Sequence, residues 1–145
     1  MKQVRAIVSL GSNIEPRREY LSRALAALAA LPGTRLVKAS SVQETEPEGI
    51  PAEFAGMKFL NQAAVFETSL GALEFAAGMH AVEDALGRVR TVRNGPRTVD
   101  IDLVDFGGLV MDGPGLVLPH PRARFRRFVT DPLAELGESE VLSRL

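Results

Sequence analysis

The sequence predicts an α+β domain, a mostly antiparallel sheet with helices packed on it. Three observations carry this. Alternating, β-branched stretches recur at residues 4–10, 36–42, 58–68 and 98–106. Between the first pair a run repeats its apolar residues at helical spacing, through Leu21, Ala24, Leu25, Leu28 and Leu31. The whole chain has 145 residues, 46% of them hydrophobic, which suits one core and a single domain spanning 1–145.

The elements follow in order. The first strand, 4–10, is predicted to end in a turn at Gly11-Ser12-Asn13, with Asn13 as helix N-cap. Pro16 falls in the first helical turn, where a missing N–H is tolerated. The helix is expected to run to about Leu31 and stop at Pro32-Gly33. Residues 36–42 form the second strand. Residues 44–57 contain Pro47, Gly49, Pro51 and Gly56 and read as a loop. The third strand is 58–68. A second helix starts at Ser69 and ends near Leu86, with Gly87 as its stop. After a basic loop at 88–97 comes the strand 98–106, a hairpin turn at Gly107-Gly108 and a partner strand at 109–111. Residues 118–124 read as a loop, and 132–136 as a short helix. The order β-α-β-β-α-β-β is that of a ferredoxin-like sandwich.

Net charge is -1, but it is unevenly spread. Residues 43–87 hold Glu44, Glu46, Glu48, Glu53, Glu67, Glu74, Glu83 and Asp84 against Lys58 alone. Residues 88–127 hold eight arginines and four aspartates. A basic half with a few carboxylates points to an anionic ligand held with a metal. Fourteen of the 17 basic residues are arginine, whose planar fork pairs with phosphate oxygens, although a coding bias toward arginine would give the same ratio. There is no cysteine, which excludes disulfides, thiolate chemistry and Cys-based zinc sites. The apolar stretches are too short for a signal-peptide core or a membrane span. A soluble, cytoplasmic protein is expected.

Gly95-Pro96-Arg97-Thr98-Val99-Asp100-Ile101-Asp102 is the most informative segment. Residues two apart on a strand share a face, so Asp100 and Asp102 point together and away from Val99, Ile101 and Leu103. Two such carboxylates can hold Mg²⁺, a hard cation that prefers oxygen. Arg88, Arg90, Arg93 and Arg97 lie close upstream, as a metal–triphosphate complex requires. A solvent-facing pair neutralised by arginine is the other reading. His120, between Pro119 and Pro121, could donate to a phosphate or serve only its loop. Arg122, Arg124, Arg126 and Arg127 could bind ligand or form a solvated run. Phe59 and Asn61 share a strand face and suit a flat heterocycle, stacked on the ring and bonded to the amide, or else a core ring beside a capping amide. His80 and Glu83 share a helix face. They could ligate a metal, but with no third nitrogen or sulfur ligand nearby in sequence zinc is not expected, and an exposed polar stripe is the default reading. No Walker A loop, G-x-G-x-x-G or G-x-S-x-G is present.

These segments, with Leu10-Gly11-Ser12-Asn13, Gly87-Arg88-Val89-Arg90, Leu118-Pro119-His120 and Phe128-Val129, resemble the 6-hydroxymethyl-7,8-dihydropterin pyrophosphokinase family through most of the chain. The resemblance implies transfer of diphosphate from ATP to the pterin, releasing AMP, in folate biosynthesis. It implies that Asp100 and Asp102 hold two Mg²⁺ ions and, with Arg88 and Arg97, form the catalytic set. ATP would be bound by His80, Glu83, Arg88, Arg90, Arg93, Arg97, His120 and Arg126. The pterin would lie between Phe59 and Phe128, read by Asn61 and by groups at Thr45 and Glu48. The chain departs from the family pattern at Asn94, Glu48, Pro121 and His80. Small-molecule substrates, no nucleic-acid or membrane partner and a monomer are expected. A small ferredoxin-like RNA-binding domain is the alternative.

Overall fold

The structure, a computed structural model, describes residues 2–46, 58–87 and 98–145. The predicted loop at 88–97 and most of that at 44–57 lie outside the described residues. The elements are β1 (Val4–Ser12), α1 (Arg17–Ala29), β2 (Thr34–Ala39), β3 (Gln43–Thr45), β4 (Phe59–Thr68), α2 (Ala72–Ala85), β5 (Asp100–Phe106), β6 (Met111–Gly113), β7 (Leu116–Leu118), α3 (Arg127–Glu135) and α4 (Ser139–Arg144). A 3₁₀ turn, Ala123–Phe125, precedes α3.

The main sheet has the order β2-β4-β1-β5, with β3 also paired to β4. All its pairings are antiparallel. β1 pairs with β4 along its whole length, so β2 and β3 lie end to end on the other edge of β4. This is the expected ferredoxin-like α+β arrangement.

Alternation sends residues to two cores. One face gives Ala6, Val8, Leu10, Ala64, Phe66, Ile101 and Leu103, which pack with Leu21, Leu28, Phe75 and Met79 of α1 and α2. The other gives Ile7, Ala63, Val65 and Val104, which pack with Val129, Leu133 and Val141 of α3 and α4. Leu103 and Val104 serve opposite cores by alternation, and a register shift between Ile7 and Val8, with Val104 as the extra residue on β5, returns Phe106 to the first core.

Several boundaries differ from those predicted. Gly11 and Ser12 continue β1 instead of turning, because Gly11 pairs with Asn61 on one side and Asp100 on the other. Pro16, not Asn13, occupies the N-cap of α1, without a side-chain cap. α2 begins at Ala72: the Ser69 and Leu70 amides are tied to Gly33 O and Thr68 Oγ1, so Gly71 becomes the N-cap and donates to Glu74 Oε1 at 3.0 Å. Glu44 and Thr45 belong to a strand rather than a loop. The residues after Gly107-Gly108 do not pair back onto β5. Met111–Gly113 pairs with Leu116–Leu118 instead, around Pro114-Gly115, where Gly115 has φ +81° as a type II turn requires. α3 starts at Arg127, five residues before the predicted helix, and carries Pro132 inside it.

Candidate active site

β1, β4 and β5 place Ser9 and Gly11, Phe59 and Asn61, and Asp100 and Asp102 on the same sheet face as the α3–α4 core, beyond the end that those helices cover. A cavity of 370 Å³ opens there. Asn61, Gly11 and Asp100 form one row across the sheet, and Ala63, Ser9 and Asp102 the next. Because β1 lies between, the amide and the carboxylates stand two strand spacings apart, roughly 10 Å. A side chain at Gly11 would put its Cβ 3.2 Å from Asn61 Oδ1 and 3.5 Å from the Phe59 ring, so glycine keeps the floor open.

On the β4 side, Asn61 is 3% exposed and its Nδ2 donates to Thr45 Oγ1. The pairing of Thr45 with Phe59 sets that contact, since β3 runs along the edge of β4. Thr45 Oγ1 keeps its own proton to donate, and Asn61 Oδ1 remains on the cavity side near Gly11. Phe59 and Phe128, the latter from the first turn of α3, both line the cavity. The Arg126 guanidinium sits 5.6 Å from the centre of the Phe128 ring.

On the β5 side, Asp102 Oδ1 is 3.8 Å from His120 Nε2 and Asp102 Oδ2 is 3.9 Å from Arg126 Nη1. Both separations exceed a direct hydrogen bond. His120 is anchored at both ends: its backbone N–H donates to Val104 O at 2.9 Å, and its Nδ1 accepts the Arg122 N–H at 3.2 Å. That acceptor role leaves the proton of the neutral ring on Nε2, facing the carboxylate. Burial holds the His120 pKa below its ordinary 6.5, and Arg126 and Arg122 add to the effect against the pull of Asp100.

The structure therefore gathers Thr45, Phe59, Asn61, Asp100, Asp102, His120, Arg126 and Phe128 around one cavity. His80 and Glu83 do not line it. Nor are they an exposed polar stripe: Glu83 is 1% exposed, its Oε2 accepting the Ile101 N–H at 2.8 Å and its Oε1 lying 3.2 Å from His80 Nδ1. Arg88, Arg90, Arg93, Arg97 and Glu48 lie outside the described residues. Ser9, Gly11, Glu46 and Pro121 line the cavity without having been expected there, and of the four candidate arginines at 122–127 Arg122 and Arg126 line it. Strand alternation from Ile7 would have flagged Ser9 within the predicted strand, and Gly11 as well had β1 been extended past residue 10.

Among the described residues no cluster of three or more His, Cys, Asp or Glu forms a metal site. Two oxygen donors on an open face fit a hard cation that keeps its own water and phosphate ligands, and do not fit a closed zinc site. No helix among the described residues is long and apolar enough to cross a membrane.

Residues 7–138 match the family model for 7,8-dihydro-6-hydroxymethylpterin-pyrophosphokinase (HPPK). The chain is 42% identical over 133 residues to the 2-amino-4-hydroxy-6-hydroxymethyldihydropteridine pyrophosphokinase of Pseudomonas aeruginosa, covering 92% of this chain and 80% of that one. It is 40% identical over 131 residues to the enzyme of the same name from Bacillus subtilis, covering 90% and 77%. Its fold superimposes on the Plasmodium falciparum HPPK-DHPS crystal structure with pteroate, with a TM-score of 0.68 at 13% identity. That match covers 92% of this chain and only 39% of the larger one. None of these similarities supports the RNA-binding alternative. With the family model spanning nearly all of the sheet and both helical layers, the chain belongs to the 7,8-dihydro-6-hydroxymethylpterin-pyrophosphokinase family.

Proposed function

We propose that this chain transfers the terminal diphosphate of ATP to the hydroxymethyl group of 6-hydroxymethyl-7,8-dihydropterin and releases AMP, a step of folate biosynthesis. One observation carries the reading beyond family membership. A carboxylate pair and an aromatic–amide pair share one cavity floor, separated by a single strand with no side chain at Gly11. That is a layout for two different ligands side by side, one polyanionic and one flat and polar.

The pterin ring would lie between Phe59 and Phe128, with Asn61 Oδ1 and the Thr45 hydroxyl reading its polar edge. Asp100 and Asp102 would hold Mg²⁺, two ions being expected, which when bound offsets charge on the triphosphate. Arg126 and the Nε2–H of His120 donate to phosphate oxygens. Arg88 and Arg97 complete the catalytic set, with Arg90 and Arg93 and with His80 near the nucleotide. The bond that forms joins the hydroxymethyl oxygen to the β-phosphorus, and the bond that breaks links that phosphorus to the oxygen of AMP. Such a displacement depends on alignment and charge stabilisation more than on a strong base. The residues present agree with this, since the cavity offers carboxylates, arginines and a histidine kept largely neutral.

The reading extends to residues 1–145 acting as one domain and a monomer on small molecules in the cytoplasm, without nucleic acid. Incubation with ATP, Mg²⁺ and the hydroxymethyl pterin tests it. AMP and the pterin diphosphate are the expected products. ADP would point to a different phosphotransferase, and no turnover with tight RNA binding would overturn the enzyme reading.

A further inference from the structure

We infer that Glu83 is a positioning residue, whose buried carboxyl group accepts the Ile101 amide and so holds the strand segment that carries Asp100 and Asp102. The inference rests on the proposed reaction only for why that segment matters. Among the described residues β5 ends the strand order, with β1 on one side and no further strand on the other. Ile101 stands opposite Leu10, while Asp100 and Asp102 stand opposite Gly11 and Ser9. Along an antiparallel ladder the amides alternate between pointing at the partner and away from it. The Ile101 amide points outward, where its side chain is 3% exposed and water has little access. An orphaned amide in that place would be unfavourable.

Glu83 supplies the acceptor that a neighbouring strand would otherwise offer. It arrives from α2, on the sheet face away from the cavity, among Met79 and Val82. Its Oε2 accepts the Ile101 N–H at 2.8 Å, and its Oε1 meets His80 Nδ1 at 3.2 Å on the outer surface of the helix. At 1% exposure this side chain acts through the backbone between the two aspartates, not on a ligand. The same bond links α2 to the strand bearing the carboxylates, so a small movement of the helix would shift both acids together. Displacements of about 1 Å in a reacting constellation lower rates by as much as roughly 100-fold.

Glu83→Ala and Glu83→Gln separate this role from others. Glutamine keeps an oxygen for Ile101 and places its NH₂ toward His80 Nδ1. Three quantities are measured: hydrogen exchange of the Ile101 amide, Mn²⁺ affinity by electron paramagnetic resonance, and AMP formation. In Glu83→Ala the Ile101 amide should exchange faster, Mn²⁺ affinity should fall about tenfold, and kcat should fall about tenfold with KM for ATP within about twofold. Glu83→Gln should recover most of each loss. If Glu83→Ala does not fold, Glu83→Asp, which draws the carboxyl back by one methylene, should show the same losses. Wild-type kcat and Mn²⁺ affinity in a variant whose Ile101 amide exchanges fast would overturn the inference. So would a rise in KM for ATP at unchanged kcat, which would mean direct nucleotide contact. A wild-type protein that makes no AMP would sink the reaction instead, while the exchange and Mn²⁺ measurements would still decide the role of Glu83.

Discussion

At Asp102, His120 Nε2 and Arg126 Nη1 approach different carboxylate oxygens. Asp102→Asn keeps the size and removes the charge, so turnover should fall by about 1,000-fold while the melting temperature stays within a few degrees. Full activity in a folded variant would remove the cation assignment. Phe128→Ala should weaken pterin binding by about tenfold and ATP binding much less, measured by calorimetry with each ligand. Equal losses would count against a sandwiched ring. His120 adds a pH term. Its pKa is lowered, chiefly by burial, so below about pH 6.5 the unfolded chain takes up a proton that the folded chain refuses. Its contribution to stability is complete above that pH and is lost as pH falls through it. The melting temperature of the wild type should therefore drop on acidification more than that of His120→Gln. The Asp100–Asp102 and Phe59–Asn61 pairs were legible because strand period alone puts each on one face. Arg122 and Pro121 were not placed, since their position depends on a 3₁₀ turn folding back over β5.

Between elements, Glu138 at the start of α4 receives Arg5 of β1 at 2.6 Å and Lys38 of β2 at 3.1 Å. Burial works to raise its pKa, but the bonds from Arg5 and Lys38 prevail and lower it. Its stabilisation is present above about pH 4.5 and is lost as pH falls further. Glu138→Gln should flatten the acid limb of the stability curve. Glu138→Ala should lose about 1–2 kcal/mol in urea titration, less than a fully enclosed pair because both partners stay partly exposed. The elements that sequence reasoning misplaced share a cause. Gly11 and Pro132 look like breakers, yet β1 is paired on both sides at Gly11 and α3 is packed through Val129 and Leu133. Tertiary pairing outweighs the local preference in each case. The turn signal at Gly107-Gly108 was real, as the Leu109 N–H to Phe106 O bond shows, but the chain leaves β5 there to pair with β7.

Across the molecule, the α1–α2 layer and the α3–α4 layer are joined through residues of β1, β4 and β5 that face opposite ways. Loss of either layer should unfold the other. Leu133→Ala, in the α3–α4 core, should destabilise by about 3 kcal/mol. The change should be reported with one midpoint by far-UV circular dichroism and by the fluorescence of Tyr20, the only tyrosine, which lies on α1 in the opposite layer. A Tyr20 transition that lags behind would mean that the layers melt separately. β1 and α3 each contain nine residues, yet they differ in reach. Extended chain advances about 3.3 Å per residue and coiled chain about 1.5 Å, so the strand is roughly 30 Å long and the helix roughly 14 Å. The cavity opens at the Arg127 end of that helix, where Arg126 and Phe128 line it. Lengthening that helix by two turns at its Arg127 end would roof over the carboxylates, and the protein would gain a larger interior at the expense of anywhere for a substrate to sit.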